Sequence, residues 1–180
     1  RYGSARGAGT GARLPRRHMS TLAAASPLPI DGGSLDLDGL EAVARRGRPV
    51  VLAPAARDAV RASRRVVDDA VARGAVVYGV TTGFGNFADV HVPLDRLREL
   101  QLNLLRSHAA GVGAPLGAEE TRALVLLRAN VLAKGFSGVR LETLELLVEL
   151  LNCRVHPVVP SQGSVGASGD LAPLAHLALV

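Results

Sequence analysis

Gly163-Ser164-Val165-Gly166-Ala167-Ser168-Gly169-Asp170-Leu171-Ala172-Pro173-Leu174 is a polar glycine loop that runs directly into an apolar helix. Several common chemistries fail on it. A phosphate cradle of the form G-x-x-x-x-G-K-[ST] needs a lysine, and none follows. A nucleophile elbow, G-x-S-x-G, needs glycine two residues after its serine, but Asp170 stands two after Ser168. There is no S-x-x-K, and no neighbouring base activates a serine. On local grounds alone the segment reads as a glycine turn whose Asp170 caps the next helix.

The chain upstream of this loop is mainly helical, with short extended segments between the helices. Asp31-Gly32-Gly33 signals a turn, and Asp36 or Asp38 caps a short helix to Arg46, stopped by Gly47 and Pro49. Val50 to Leu52 is extended. Pro54 suits the first turn of a helix to about Arg73, with Val60, Val66, Val67 and Val71 along one side. Pro93 opens another helix, with Leu94, Leu97, Leu100, Leu104 and Leu105 at helical spacing, ending near Ser107-His108. A third spans about Ala118 to Lys134 and turns Leu124, Leu127, Val131 and Leu132 inward. A fourth runs from about Leu141 to Asn152. Val155 to Pro160 is extended, and the last helix is expected from Leu171 to Val180. That helix meets no stop signal, so the sequence reads as the front part of a longer chain.

A second glycine loop precedes the Pro93 helix. Tyr78-Gly79-Val80-Thr81-Thr82-Gly83-Phe84-Gly85 has the spacing G-x-x-x-G-x-G, which is not the dinucleotide fingerprint G-x-G-x-x-G. Tyr78 is the only tyrosine outside the first eighteen residues. A tyrosine beside such a loop can serve as general acid or base, or simply pack with its hydroxyl on a backbone partner.

Composition narrows the function further. The 180 residues are 48% hydrophobic and 21% charged, which excludes wholesale disorder. No apolar run approaches the roughly 18 residues of a membrane helix. A single cysteine, Cys153, excludes a disulfide framework and a multi-cysteine metal site. The net charge of +5 comes from residues 1–18, which hold five arginines and no acid. Residues 19–180 are formally neutral, so nucleic-acid binding would rest on that tail alone and be strongly salt-sensitive. The tail reads as a disordered basic leader ahead of Met19, the only methionine and a candidate start. An Arg-rich transit peptide is the other reading.

Four stretches, in order, carry a family resemblance: Tyr78 to Gly85, Leu102 to Gly113 (LNLLRSHAAGVG), Asn130 to Gly138 (NVLAKGFSG) and Gly163 to Leu174. The chain from about Leu28 to Val180 resembles the aromatic amino acid ammonia-lyases, and within them the histidine-specific members. The resemblance implies the N-terminal part of a fumarase/aspartase-like helical lyase fold, residues 19–180 being the front of the active-site portion. It implies elimination of ammonia from L-histidine to trans-urocanate, in the cytoplasm, by a homotetramer. It also implies a self-made electrophile. Ala167, Ser168 and Gly169 would close to a methylidene-imidazolone when the Gly169 nitrogen attacks the Ala167 carbonyl and water is lost from the ring and from Ser168. No external cofactor and no metal, nucleic acid or membrane partner is expected.

By the same resemblance Tyr78 is the base that takes the β-proton. That role requires hydrogen-bond donors or positive charge around its hydroxyl, since a free phenol holds its proton at neutral pH. Asp170 helps to place the tripeptide. Ser107 and His108 face the substrate side chain, where an imidazole suits a partner that donates or accepts. His91, His156 and His176 are read as structural. The carboxylate-binding arginine and the central helical bundle of the family would lie beyond Val180. The 180 residues alone are therefore expected to be inactive, with apolar helix faces exposed. Two alternatives stay open: a phenylalanine or tyrosine ammonia-lyase or aminomutase using the same electrophile, and a non-catalytic lyase-like binding module.

Overall fold

The computed structural model describes residues 26–83, 85 and 92–180. The basic leader, Met19, Phe84 and His91 lie outside the described residues. Residues Leu28–Ile30 (β1) and Val50–Leu52 (β2) form a parallel pair, Leu28 opposite Val50 and Ile30 opposite Leu52. Between them Leu37–Ala44 forms α1. The Asp36 carboxylate accepts from the Gly39 N–H at 2.7 Å, an N-cap that satisfies one of the helix's unpaired donors. Pro54–Ala72 forms α2, with proline in the first turn, where no backbone donor is needed.

Leu97–His108 forms α3 after a 3-10 turn at Leu94–Arg96, and Ala118–Ala133 and Leu141–Asn152 form α4 and α5. Val112–Pro115 (β3) and Pro160–Gln162 (β4) pair antiparallel across the gap between α3 and the last helix, Leu171–Leu177 (α6). The architecture is mainly helical, as the sequence pattern implies, with two small two-stranded sheets whose pairing and whose β3 the pattern did not signal.

The core gathers β1, β2, α1, α2, α4 and α5, and Leu177 of α6 reaches into it. Ile30, Val43, Val60, Val125, Leu126 and Leu144 are each no more than 2% exposed. Each such side chain contributes about 1.5–3 kcal/mol by leaving water. A buried cation crosses this core. Arg122 in α4 donates through Nε and Nη2 to the Val43 carbonyl (3.0 and 2.9 Å) and through Nη1 to the Leu151 carbonyl (3.0 Å). Those carbonyls sit in the last turns of α1 and α5, where helix dipoles favour a positive charge. Burial, and then the charge of Arg154, lower the Arg122 pKa from its ordinary value.

Asn152 closes another backbone gap. Its Oδ1 accepts from the Val50 N–H at 2.8 Å, and its Nδ2 donates to the Val50 carbonyl at 2.9 Å.

The structure corrects three facings and one boundary. In α2, Val60 is buried, but Val66 is 67% exposed and Val67 and Val71 are half-buried. In α4, Leu132 is buried and Leu124 half-buried, while Leu127 and Val131 face outward. The inward side of α4 is instead Thr121, Arg122, Val125, Leu126, Ala129, Leu132 and Ala133. A helix apolar nearly all round offers no periodicity to choose between faces. In α3 no residue is buried; Leu97, Leu100, Leu104 and Leu105 are half-buried. Finally, α6 stops at Leu177 rather than Val180. Its end tightens into i→i+3 bonds, Ala178 N–H to the Ala175 carbonyl (3.1 Å) and Leu179 N–H to that of His176 (3.4 Å).

Candidate active site

Tyr78 sits in a turn fixed by two buried threonines. The Thr81 hydroxyl accepts from the Val77 N–H (2.9 Å) and donates to the Ala75 carbonyl (2.6 Å). The Thr82 hydroxyl accepts from the Gly79 N–H (3.3 Å) and donates to the Gly83 carbonyl (3.0 Å). Both threonines are within 1% of full burial, so each hydroxyl needs such partners. This frame leaves Tyr78 63% exposed, and its hydroxyl oxygen accepts from the Gly85 N–H at 3.4 Å.

Ser107 and His108 end α3. The His108 Nδ1 lies 2.9 Å from the Leu104 carbonyl, and that oxygen can only accept. Nδ1 therefore carries the proton, which leaves Nε2 of a neutral ring as an acceptor. The Ser107 hydroxyl also donates to the Leu104 carbonyl (2.9 Å) and lies 3.1 Å from the His108 Nδ1. Ser107 is exposed and His108 half-buried.

Tyr78 and His108 line one cleft of about 740 Å³ between α3, α4, α5 and α6. Its walls are mostly leucines, among them Leu105, Leu147 and Leu174, with Arg128, Ser137 and Thr143 as further polar groups. Those three were not singled out from the sequence. Arg128 alone carried a signal, a charge set inside the apolar run of α4. Ser107 does not line the cleft, and neither do Ala167, Ser168 or Gly169. The tripeptide lies on the loop that leads into α6, whose Leu171, Leu174 and Ala175 do line it.

Residues 166–169 form a turn, with Gly166 at φ +76° and Gly169 at φ +71°. Left-handed backbone of this kind suits glycine, and no atom lies within 4 Å of a Cβ built on either. Ala167 and Ser168 are exposed. A tight turn of small residues in open space fits a ring closed between neighbouring backbone groups. Asp170 occupies the N-cap position of α6, but its side chain makes no capping bond. His156 is exposed.

Tyr78 of one glycine loop and the end of α3 meet on one apolar cleft, the second glycine loop leads into the α6 wall of that cleft, and the fold is that of solved helical lyases and aminomutases. The solved tyrosine aminomutase from Streptomyces globisporus superposes with a TM-score of 0.78 at 38% identity, over 84% of this chain and 28% of that one. The histidine ammonia-lyase from Trypanosoma cruzi gives 0.76 at 42% identity, over 85% and 29%. In sequence, the histidine ammonia-lyase of Gloeobacter violaceus is 60% identical over 153 residues, 85% of this chain. The family model for aromatic amino acid lyases matches residues 35–180, and the chain belongs to that family. It spans 30% of the length of the Gloeobacter relative.

Proposed function

We propose that the protein to which this chain belongs eliminates ammonia from L-histidine to give trans-urocanate. The observation that carries this reading is the meeting of Tyr78 and His108 on one cleft, 30 residues apart in sequence. The 60% identity to a histidine ammonia-lyase supports the choice of substrate. In the reaction the Cβ–H and Cα–N bonds break, a Cα=Cβ double bond forms, and ammonia leaves.

Tyr78, as the phenolate, takes the β-proton on its oxygen and becomes the phenol. His108, with Nδ1 held on the Leu104 carbonyl, offers Nε2 to an N–H of the substrate imidazole. Ser107 steadies that ring through the same carbonyl. Ala167, Ser168 and Gly169 are the residues that would form the methylidene-imidazolone, with Asp170 at the base of their loop. That group would supply an electrophilic methylene that draws electrons from the substrate and so eases departure of ammonia. The homotetramer and the cytoplasmic setting expected from the resemblance belong to the same proposal.

The test uses the full-length protein with L-histidine, L-phenylalanine and L-tyrosine, following urocanate, cinnamate and coumarate by ultraviolet absorbance. Urocanate alone is expected. The structural likeness to a tyrosine aminomutase favours one rival, a β-amino acid product from an aromatic substrate. Its appearance with no urocanate from histidine would replace the first reading.

A further inference from the structure

Gly111 lies three residues beyond His108 and is touched by Gly163, at the start of the 163–170 loop, and by His176 of α6, the helix into which that loop runs. At the first end, a Cβ on Gly163 would stand 3.1 Å from the Gly111 Cα and 3.1 Å from the Ala172 Cβ, so these backbones are packed together. Just before it, β4 pairs with β3, Gln162 opposite Val112. At the second end, the Gly111 N–H donates to the His176 Nε2 at 3.0 Å, across 65 residues. Among the described residues this is the only side-chain hydrogen bond from α6 to another element.

The bond sets the state of the ring. Nε2 accepts only with its lone pair free, so His176 is neutral with its proton on Nδ1. A protonated ring would set two donors against each other. Asp170 makes no side-chain cap, so it offers no equivalent tie at the near end of α6. A helix is stiff over six residues, about 9 Å, so a tie at His176 fixes where the loop enters α6.

We propose that His176 is a positioning residue: it seats the loop bearing Ala167, Ser168 and Gly169 against the end of α3, and so sets the spacing between that tripeptide and His108. The inference rests on the electrophile reading above, and it assigns work to a histidine whose sequence gives no sign of it. Gly111 is the other half of the device. A Cβ there would stand 3.0 Å from the His176 Nε2 and 3.2 Å from the Pro160 Cβ, so even alanine would press on the His176 ring and on β4.

The test compares the full-length wild type with His176→Gln, which keeps an acceptor at the same reach, and His176→Phe, which keeps a ring without one. Intact mass reads the fraction of chains that have lost two waters at the tripeptide. The Gln variant is expected within about twofold of wild type, and the Phe variant to form the group at least about tenfold more slowly, since misplacement of about 1 Å is costly. Nitrogen-labelled histidine in the wild type is expected to show an unprotonated, hydrogen-bonded His176 Nε2 at neutral pH. Equal water loss in the Phe and Gln variants would overturn the inference. So would a protonated Nε2, which also decides the matter if the Phe variant fails to fold. A wild type that keeps its full mass would instead defeat the electrophile reading, and the nitrogen spectrum alone would then decide whether His176 holds Gly111.

Discussion

Helices α3 and α4 are both leucine-rich, with 12 and 16 residues, yet α4 buries seven residues and α3 none. The contrast divides the molecule. The block built from β1, β2, α1, α2, α4 and α5 holds most of the core, with Leu177 of α6 joining it and Arg122 tying two helix ends. The part that carries the chemistry, α3 with the Tyr78 turn, the β3–β4 pair and α6, has little core of its own. Stability is therefore concentrated in the first part, and motion is expected in the second.

Ser168→Ala would break the chemical side most completely. Without the hydroxyl to lose, no methylene forms, and urocanate production by the full-length protein should fall about a thousandfold or more. Thermal stability should hold, because Ser168 is exposed. Tyr78→Phe comes next, with kcat down about 10²–10⁴-fold for loss of a general base and again no change in melting, since Tyr78 touches little of the core. A variant that melts earlier while keeping its rate would join the two regions into one.

The core side is probed by Leu144→Ala. Leu144 is fully buried, so the unfolding free energy in denaturant should drop by about 2–5 kcal/mol. The same truncation at Leu102 in α3, which is 42% exposed, should cost within about 0.5 kcal/mol. Equal costs would erase the contrast between the helices.

The smallest effect belongs to Asp31. Its carboxylate accepts from the Gly33 and Ser34 N–H groups, both at 2.8 Å, and these bonds hold its pKa below the ordinary value of 3.8. A carboxylate with a lowered folded pKa stabilises the fold above its unfolded pKa and loses that contribution as pH falls through the folded one. Asp31→Asn should thus melt slightly earlier than the parent at neutral pH, and the gap should close in strong acid. A gap that widens in acid would reverse the sign of this effect.

Much of the block was legible because its signals are local. The sequence placed a helix at about Leu141 to Asn152, where α5 stands, and Pro54 marked the start of α2. The α4 facing was not legible, because Leu127 and Val131 are as apolar as Leu126 and Val125. Nor was the burial of Arg122, since only the fold brings the carbonyls of Val43 and Leu151 to it. The site divides the same way. Tyr78, Ser107, His108 and the Ala167-Ser168-Gly169 tripeptide stood out through motif resemblance, but their spatial relation depends on contacts far apart in sequence. That is also why Arg128 and the reach of His176 to Gly111 escaped notice.

The Asn152 amide has a consequence beyond holding α5 in place. Pro49 and Ala53 bond to β1 through the Pro49 carbonyl and the Ala53 N–H, so the Val50 groups point to the opposite, outer side of β2. An exposed row of such groups is a template on which another chain can add a strand. Asn152 occupies that rim with both halves of its amide, standing in for a neighbouring strand in a single side chain. A two-stranded sheet too small to shield itself is thereby blocked at Val50 against intermolecular β-pairing.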